Sequence, residues 1–190
     1  MASGILTRTA GSAPRVHGFP PVARPDARVL VLGSMPGIAS LRLRQYYAHP
    51  RNAFWPIAAD LYGFDAAAGY AERVAALTAA GVALWDVLQA CERAGSLDAD
   101  IDPATVVPND FAAFFRAHPG ILRVCFNGAK AAALYRRHVL PGLAAQARPA
   151  YVDLPSTSPA HAALDRAGKL AAWRAGLAVG PAEGGTAVRR

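Results

Sequence analysis

Four short apolar runs alternate along the chain with segments of helical periodicity. Each run is nearly free of polar side chains, and the four occupy residues 28–34 (RVLVLGS), 81–88 (GVALWDVL), 122–128 (LRVCFNG) and 150–155 (AYVDLP). Runs of this kind predict strands that are buried on both faces, as in parallel sheets. Helices are predicted over residues 53–62, 66–80, 108–120, 129–138 and 161–177.

Strands that alternate with helices predict an α/β fold, with a four-stranded parallel sheet covered by helices on both faces. One domain over residues 26–178 accounts for all of these elements. A flexible basic segment is expected over 1–25 and a flexible tail over 179–190. The polar stretch 91–105 is predicted to be a loop.

Three of the predicted strands end in small polar residues, Gly or Pro. The first strand is followed by GSMPG (33–37), the third by Asn127 and Gly128, and the fourth by PSTSPAH (155–161). Ligands of parallel sheets bind outside the carboxyl ends of the strands. The three loops are therefore expected to form one rim.

Two of these loops carry features that suit a phosphate or a closely approaching ligand. The glycines of GSMPG allow a tight turn, although neither a dinucleotide fingerprint nor a phosphate loop is present. Ser158 before Pro159 predicts a helix start, whose backbone N–H groups bind phosphate, and the hydroxyls of Ser156 and Thr157 lie beside it.

Asn127, at a buried strand end, has two interpretations that the sequence leaves open. Its amide needs hydrogen-bond partners, so it either ties loops together or contacts a ligand. As a ligand contact, an acceptor beside a donor complements a lactam edge, which uracil and hypoxanthine both present. Adenine and cytosine lack such an edge.

Charge and composition narrow the class of partner. The net charge of +7 and pI of about 10.0 favour a polyanion, usually nucleic acid. Two cysteines exclude a four-thiolate zinc or iron–sulfur site, and Cys125 is expected to be buried. No apolar stretch suits a membrane span or a secretory signal, which favours the cytoplasm.

The acidic residues of the polar stretch raise one more possibility. Asp98, Asp100 and Asp102 alternate as calcium ligands sometimes do. The stretch lacks the glycine and the distal glutamate of an EF-hand loop, so a solvated loop is expected.

Five motifs follow one another over roughly residues 17 to 175. They are HGFPPV, VLGSMPGIASLRLRQYYAHPRNAFW, LWDVL, FNGAKA and LPSTSPAHA. Together they resemble the uracil-DNA glycosylase superfamily and, within it, the hypoxanthine-DNA glycosylase family, also called family 6 or deoxyinosine glycosylase. The resemblance implies a three-layer α/β/α sandwich without metal or redox cofactor, acting as a monomer on DNA.

The implied reaction hydrolyses the N-glycosidic bond of a deaminated base in DNA and leaves an abasic site. Hypoxanthine is the expected base, with uracil and xanthine as further candidates. The catalytic asparagine of the family maps onto Asn52, which would position the attacking water. Contacts to the everted base are assigned to Met35, Tyr47, Phe54, Asn127, Lys130 and His161. Contacts to the DNA backbone are assigned to Gly33, Ser34, Pro36, Gly37, Ser40, Arg51, Ser156, Thr157 and Ser158.

Two positions depart from the superfamily pattern. Where the strongest uracil enzymes carry a water-orienting Asp and other branches an Asn, this chain has Ser34 and Met35. The late motif lacks the usual His, and Ser156 stands near its place. These departures leave a second possibility open, a protein that binds deaminated or abasic DNA with weak catalysis or none.

Overall fold

The computed structural model describes residues 13–143 and 149–177, and within them two sheets and six α-helices form. The strands are β1 Arg15–His17, β2 Val29–Gly33, β3 Val82–Asp86, β4 Leu88–Glu92, β5 Val107–Pro108, β6 Arg123–Asn127 and β7 Ala150–Leu154. The helices are α1 Ile38–Leu43, α2 Phe54–Tyr62, α3 Tyr70–Ala79, α4 Phe111–Ala117, α5 Ala129–His138 and α6 Arg166–Leu177.

The larger sheet has four parallel strands in the order β3-β2-β6-β7, which confirms the predicted sheet. Successive side chains of a strand point to opposite faces, so β2 contributes side chains to two hydrophobic cores. Leu30 and Leu32 pack with α4 and α5, whereas Val29 and Val31 pack with α2, α3 and α6. The protein is therefore a three-layer α/β/α sandwich, and Cys125 is buried in its second core as expected.

A smaller antiparallel sheet, in the order β1-β4-β5, was not predicted. The chain passes from β3 to β4 through Val87 alone, so the run 81–88 spans the end of one strand and the start of another. Part of the stretch 91–105 belongs to this sheet, and β1 forms where irregular structure was expected. The strands of this sheet are short, and β1 and β4 carry charged side chains, so they lack the apolar runs of the parallel sheet.

The helices also differ from prediction, two of them in where they begin and one in that it was not predicted. Helix α6 begins at Arg166, where Asp165 accepts a hydrogen bond from the Gly168 N–H, so the predicted start at Ser158 is wrong. Helix α3 begins at Tyr70, where the Glu72 carboxylate accepts a hydrogen bond from the N–H of the preceding Gly69. The six-residue α1 was not predicted at all.

The predicted tail over residues 179–190, and residues 1–12 of the predicted N-terminal segment, lie outside the described residues. No helix of the described ranges is long and apolar enough to cross a membrane.

We predict that Gly128→Ala lowers the free energy of unfolding by roughly 1–3 kcal/mol, because Gly128 adopts φ 99° and ψ 156°, a region almost restricted to glycine. An added Cβ would also lie 2.9 Å from the Ser156 Cβ. Urea denaturation measures the change. Gly142→Ala is the control, because its Cβ meets nothing within 4 Å. Equal stability of the two variants would contradict the prediction.

Candidate active site

A cavity of about 560 Å³ opens at the carboxyl edge of the parallel sheet. All three loops predicted to form a rim contribute to it, joined by the segment after α1 and by the loop after β4. Its lining residues are Gly33 to Ser40, Tyr46, Tyr47, His49, Arg51, Asn52, Asp86, Ser96 to Asp98, Asn127 and Ser156 to His161. The volume lies in the range of about 300–1,000 Å³ that is usual for ligand pockets.

Strand register brings three residues to the floor of this cavity. Gly33 pairs with Asp86 across β2 and β3, and Leu32 pairs with Phe126 across β2 and β6, which places Asn127 beside the same strand end. Neighbouring strands lie about 4.8 Å apart. Asp86, Gly33 and Asn127 therefore form a row along the edge of the sheet.

The cavity has a buried floor and an exposed mouth. Gly33, Ser34, Met35, Asp86 and Thr157 are buried. The exposed lining residues are Ile38, Arg51, Ser96, Leu97 and Ala160. A ligand that enters would thus place one end against the sheet and the other among a mixture of apolar, polar and basic side chains.

Asn52 lies between floor and mouth and is half-buried. Its Oδ1 accepts a hydrogen bond of 2.9 Å from the N–H of Phe54, the first residue of α2. Its backbone N–H donates to the His49 carbonyl, and the N–H of Arg51 donates to His49 Nδ1. The Asn52 Nδ2 donates to no group of the described residues, so a held amide presents a free N–H pair at the cavity.

The two aromatic candidates occupy different places. Tyr47 lines the cavity in a left-handed backbone conformation, with φ 55°. Phe54 is only 1% exposed and does not line the cavity. The rings stack at 4.1 Å between centroids, so Phe54 supports Tyr47 from the core side.

Asn127 is engaged on both sides of its amide by Thr157. Its Nδ2 donates to the Thr157 hydroxyl at 2.8 Å, and its Oδ1 accepts from the Thr157 N–H at 2.8 Å. Thr157 is itself buried. Of the two interpretations of Asn127, this geometry favours the one in which it ties loops together.

Further contacts anchor the loop that contains Thr157. The Thr157 carbonyl accepts from the Ala53 N–H at 3.0 Å, which joins the loop to the Asn52 segment. Lys169 is buried and donates to the His161 carbonyl at 2.7 Å, and Trp173 Nε1 donates to the Pro155 carbonyl at 2.9 Å. The loop is thus held by side chains of β6 and α6 and needs no helix start at Ser158.

The loop after β4 closes the cavity from the other side, which the sequence did not indicate. Ser34 Oγ donates to Asp98 Oδ1 at 2.5 Å, and Ser96 Oγ accepts from the Ile38 N–H at 3.0 Å. Asp98 is half-buried and faces the cavity, so the expectation of a solvated loop is wrong at this residue. Asp100 and Asp102 are exposed, as expected.

Among the carboxyls that line the cavity, Asp86 has the pKa that its surroundings raise most. It is 3% exposed, and burial and the nearby Asp98 raise its pKa from the ordinary 3.8 to about 7, against the opposing influence of Arg93. Burial also raises the pKa of Asp98, whereas the Ser34 hydrogen bond, Arg93 and Lys130 lower it. The two carboxyls therefore differ in how strongly they hold a proton.

Arg93 supplies the positive charge of this group. It is 1% exposed and donates to the Pro36 carbonyl through Nη2, while its Nε and Nη1 lack partners in the described residues. A guanidinium remains protonated in proteins. One buried cation thus faces two carboxyls, which is a reason for one of them to remain neutral.

The remaining predicted residues divide between the cavity and its surroundings. Lining it are Met35, Pro36, Gly37, Ser40, Arg51, Ser156, Ser158 and His161. Among these, the hydroxyl of Ser40 already accepts from the Ala48 N–H, so it holds the Tyr47 segment. Lys130 does not line the cavity and borders a second, smaller one. Within the described residues, no group of three or more potential ligands could hold a metal ion.

Comparisons with known proteins show which proteins this chain is similar to. A family model described as the uracil DNA glycosylase superfamily matches residues 20–175. The chain is 38% identical over 115 residues to a hypoxanthine DNA glycosylase of Methanosarcina barkeri and 35% identical over 116 residues to one of Methanosarcina acetivorans. Each alignment covers 60% of this chain and 72% of the relative.

A solved structure is similar over a larger share of the chain. It is a solution NMR structure from Methanosarcina acetivorans, named there as a candidate uracil DNA glycosylase. The TM-score is 0.69 at 31% sequence identity, and the match covers 85% of this chain and 98% of the other.

We predict that Asp86→Asn makes the protein more stable at pH 7.5 but not at pH 4. A carboxyl whose pKa is higher in the folded state, here about 7 against 3.8, loses stability as pH rises between these values. The gain of the amide variant should reach roughly 2–4 kcal/mol above pH 7. Denaturant unfolding at both pH values measures it, and a gain that does not depend on pH would contradict the prediction.

Proposed function

Because the chain belongs to the uracil DNA glycosylase superfamily, we propose that it is a DNA glycosylase that releases hypoxanthine. It hydrolyses the bond between a deaminated base and deoxyribose and leaves an abasic site. The names of its relatives in two Methanosarcina species support hypoxanthine as the base, with uracil and xanthine as further candidates. We place the reaction on cytoplasmic DNA and assign it to a monomer.

The observation that carries the proposal is the single cavity in which Asn52, Tyr47 and the three strand-end loops meet. These residues lie far apart in the sequence, and the resemblance to the glycosylase family implies a role for each of them. An enzyme that acts on a base must take it out of the stack into an enclosed pocket. The cavity has the volume and the depth for one everted nucleoside.

The mouth suits the DNA backbone. Arg51 is exposed beside the cavity, and the Gly37 turn and the Ser158 loop present backbone and hydroxyl groups there. Contacts of this kind neutralise phosphates and make binding sensitive to salt. Ile38 and Leu97 are 49% and 54% exposed at the same opening, where apolar side chains would pack against bases that the flipped nucleotide leaves unstacked.

Inside, Tyr47 is the stacking surface of the proposal. Base–aromatic stacking requires a ring that faces the cavity and keeps its orientation, and the buried Phe54 behind Tyr47 provides that support. Phe54 itself lies too deep to touch a base. The role that the sequence divided between two rings is therefore assigned to Tyr47.

Asn52 is the residue that positions water. Its carbonyl oxygen is fixed by the Phe54 N–H, so the amide keeps one orientation toward the cavity. A neutral amide is a poor base, and its contribution comes from holding the water in line with the anomeric carbon. The sugar becomes cation-like as the bond breaks, and the phosphates of the DNA stabilise that charge.

Asn127 remains a proposed base contact, although it is hydrogen-bonded to Thr157. Its two bonds to Thr157 occupy one N–H of Nδ2 and one lone pair of Oδ1, which leaves one of each for a ligand. Only a base that approached the side of the amide facing Thr157 would have to displace that residue. In the conformation described here, the residue holds the loop.

We predict that the protein converts inosine-containing duplexes into alkali-labile abasic sites and that Asn52→Ala lowers this rate at least 100-fold. The loss reflects the water-positioning amide, since removing one such group typically costs two to three orders of magnitude. Single-turnover cleavage of labelled duplexes containing inosine, uracil or xanthine measures both. Absence of base release from all three would exclude the enzyme and favour a DNA-binding role.

Asn52→Asp is the matched control for stability, because its carboxylate can still accept the hydrogen bond from the Phe54 N–H. Both variants should bind the inosine duplex with the wild-type salt dependence. Unchanged base release by a correctly folded Asn52→Ala protein would remove Asn52 from the reaction.

We further predict that Tyr47→Ala weakens base release about 10- to 100-fold, whereas Tyr47→Phe retains most of it, because stacking is worth about 1–3 kcal/mol. The hydroxyl of Tyr47 interacts with the Asn127 side chain but makes no hydrogen bond of good geometry with a described residue, so its removal should cost little. Competition binding to duplexes with and without the lesion separates stacking from backbone affinity. A Phe variant as impaired as the Ala variant would assign the role to the hydroxyl.

A further inference from the structure

This inference rests on the proposed function and concerns the group that assists the departing purine. When the glycosidic bond breaks, its electron pair moves to the base. A purine then needs a proton or a strong hydrogen bond on the ring. Of the two basic side chains assigned as base contacts, His161 lines the cavity and Lys130 does not.

Asp86 is the carboxyl at the floor of the cavity. It ends β3 beside Gly33 and is 3% exposed, and its Oδ2 has no hydrogen-bond partner in the described residues. A buried polar atom without a partner lowers the stability of a protein, because its hydrogen bonds to water are lost and not replaced. Such an atom in a cavity wall is readily explained if a ligand provides the missing partner.

Depth decides which part of the nucleotide Asp86 meets. An everted nucleotide enters base first, and its sugar and phosphates stay toward the mouth, where Arg51 is exposed. Asn52, at intermediate depth, is then level with the sugar, and the buried Asp86 is level with the base. The carboxyl is therefore placed for the leaving group and the amide for the water.

The charges around Asp86 favour its protonated form. Asp98 and Arg93 act on it directly, and Tyr46 and Tyr47 are the other titratable neighbours that interact with it. Asp98 accepts from Ser34 and is stabilised as an anion by Arg93 and Lys130, whereas Asp86 has no hydrogen bond of this kind. The other titratable side chains that line the cavity are His49, Arg51 and His161.

We propose that Asp86 is the general acid of base release. Its carboxyl donates a proton to a ring nitrogen of hypoxanthine while the C1′–N9 bond breaks and its electron pair passes to the base. The base departs neutral. Water held by Asn52 adds to C1′ and loses a proton to solvent at the mouth, and the Asp86 carboxylate regains its proton from solvent after release.

The test compares Asp86→Asn with wild type in single-turnover release of hypoxanthine between pH 5.5 and 9. In the wild type, the rate should fall as pH rises above about 7, where Asp86 loses its proton. The variant should be about 100-fold slower at pH 6 and should lack this alkaline decline. Its uracil release should fall less than tenfold, because uracil departs as an anion delocalised over two carbonyls.

Asp65→Asn is the control, because Asp65 is exposed and accepts only a local hydrogen bond from the Ala67 N–H. Thermal melting confirms that both variants fold. Wild-type rates and pH profile in Asp86→Asn would overturn the proposal while leaving the glycosylase function intact. A wild-type rate that declines on the acidic side of pH 7 would also overturn it, since a base would then be required. An inactive wild type would instead refute the proposed function.

Discussion

The in-register parallel pairing of β2 with β3 and β6 is the constraint on which the rest of the site depends. It aligns the ends of three strands, so that Asp86, Gly33 and Asn127 become neighbours although they come from widely separated parts of the sequence. The pairing also explains why the middle position is glycine. A Cβ there would overlap Asp86 Oδ1 and approach the Tyr47 hydroxyl to 3.5 Å. The floor of the cavity is thus made by backbone at its centre and by functional side chains on both sides.

The walls of the cavity depend on hydrogen bonds between side chains and backbone rather than on regular structure. Asn127 holds Thr157 by two bonds, Thr157 holds the segment of Asn52, and Lys169 and Trp173 hold the ends of the same loop. Each of these donors or acceptors sits on a strand or helix with a buried face. Rigid elements therefore position a loop, which is what a reaction that depends on orientation requires. A base that approached Asn127 from the Thr157 side would have to break the same bonds, so on that side base binding and loop anchoring compete for one amide.

The central sheet and the rim could be predicted because their signals are local. An apolar run marks a buried strand, and small polar residues after it mark a loop at the carboxyl edge. The second sheet could not, since its strands are short and β1 and β4 carry charged residues, as a loop does. The place of Asp98 in the cavity wall could not be predicted for a related reason. Only the hydrogen bond from Ser34 distinguishes Asp98 from the exposed Asp100. The position of Asp86 in the cavity floor could not be predicted from the sequence. An acid inside an apolar run gives no indication of how deeply it is buried, or that Gly33 and Arg93 lie near it.

The same placement changes the meaning of the two departures from the superfamily pattern. The turn after β2 lacks a carboxylate, yet Asp86 brings one to its edge from the neighbouring strand, and Ser34 in that turn holds a second, Asp98. A carboxylate in the turn would be available to water, whereas one buried in the floor is biased toward its neutral form by desolvation and by Asp98. Pairs of acids whose surroundings separate their pKa values commonly divide acid and base roles. The cation-like sugar accepts water readily, so the attacking water needs no strong base. The departing purine depends more on a proton donor. If Asn52 holds the water and Asp86 donates the proton, as proposed, the site suits hypoxanthine more than uracil.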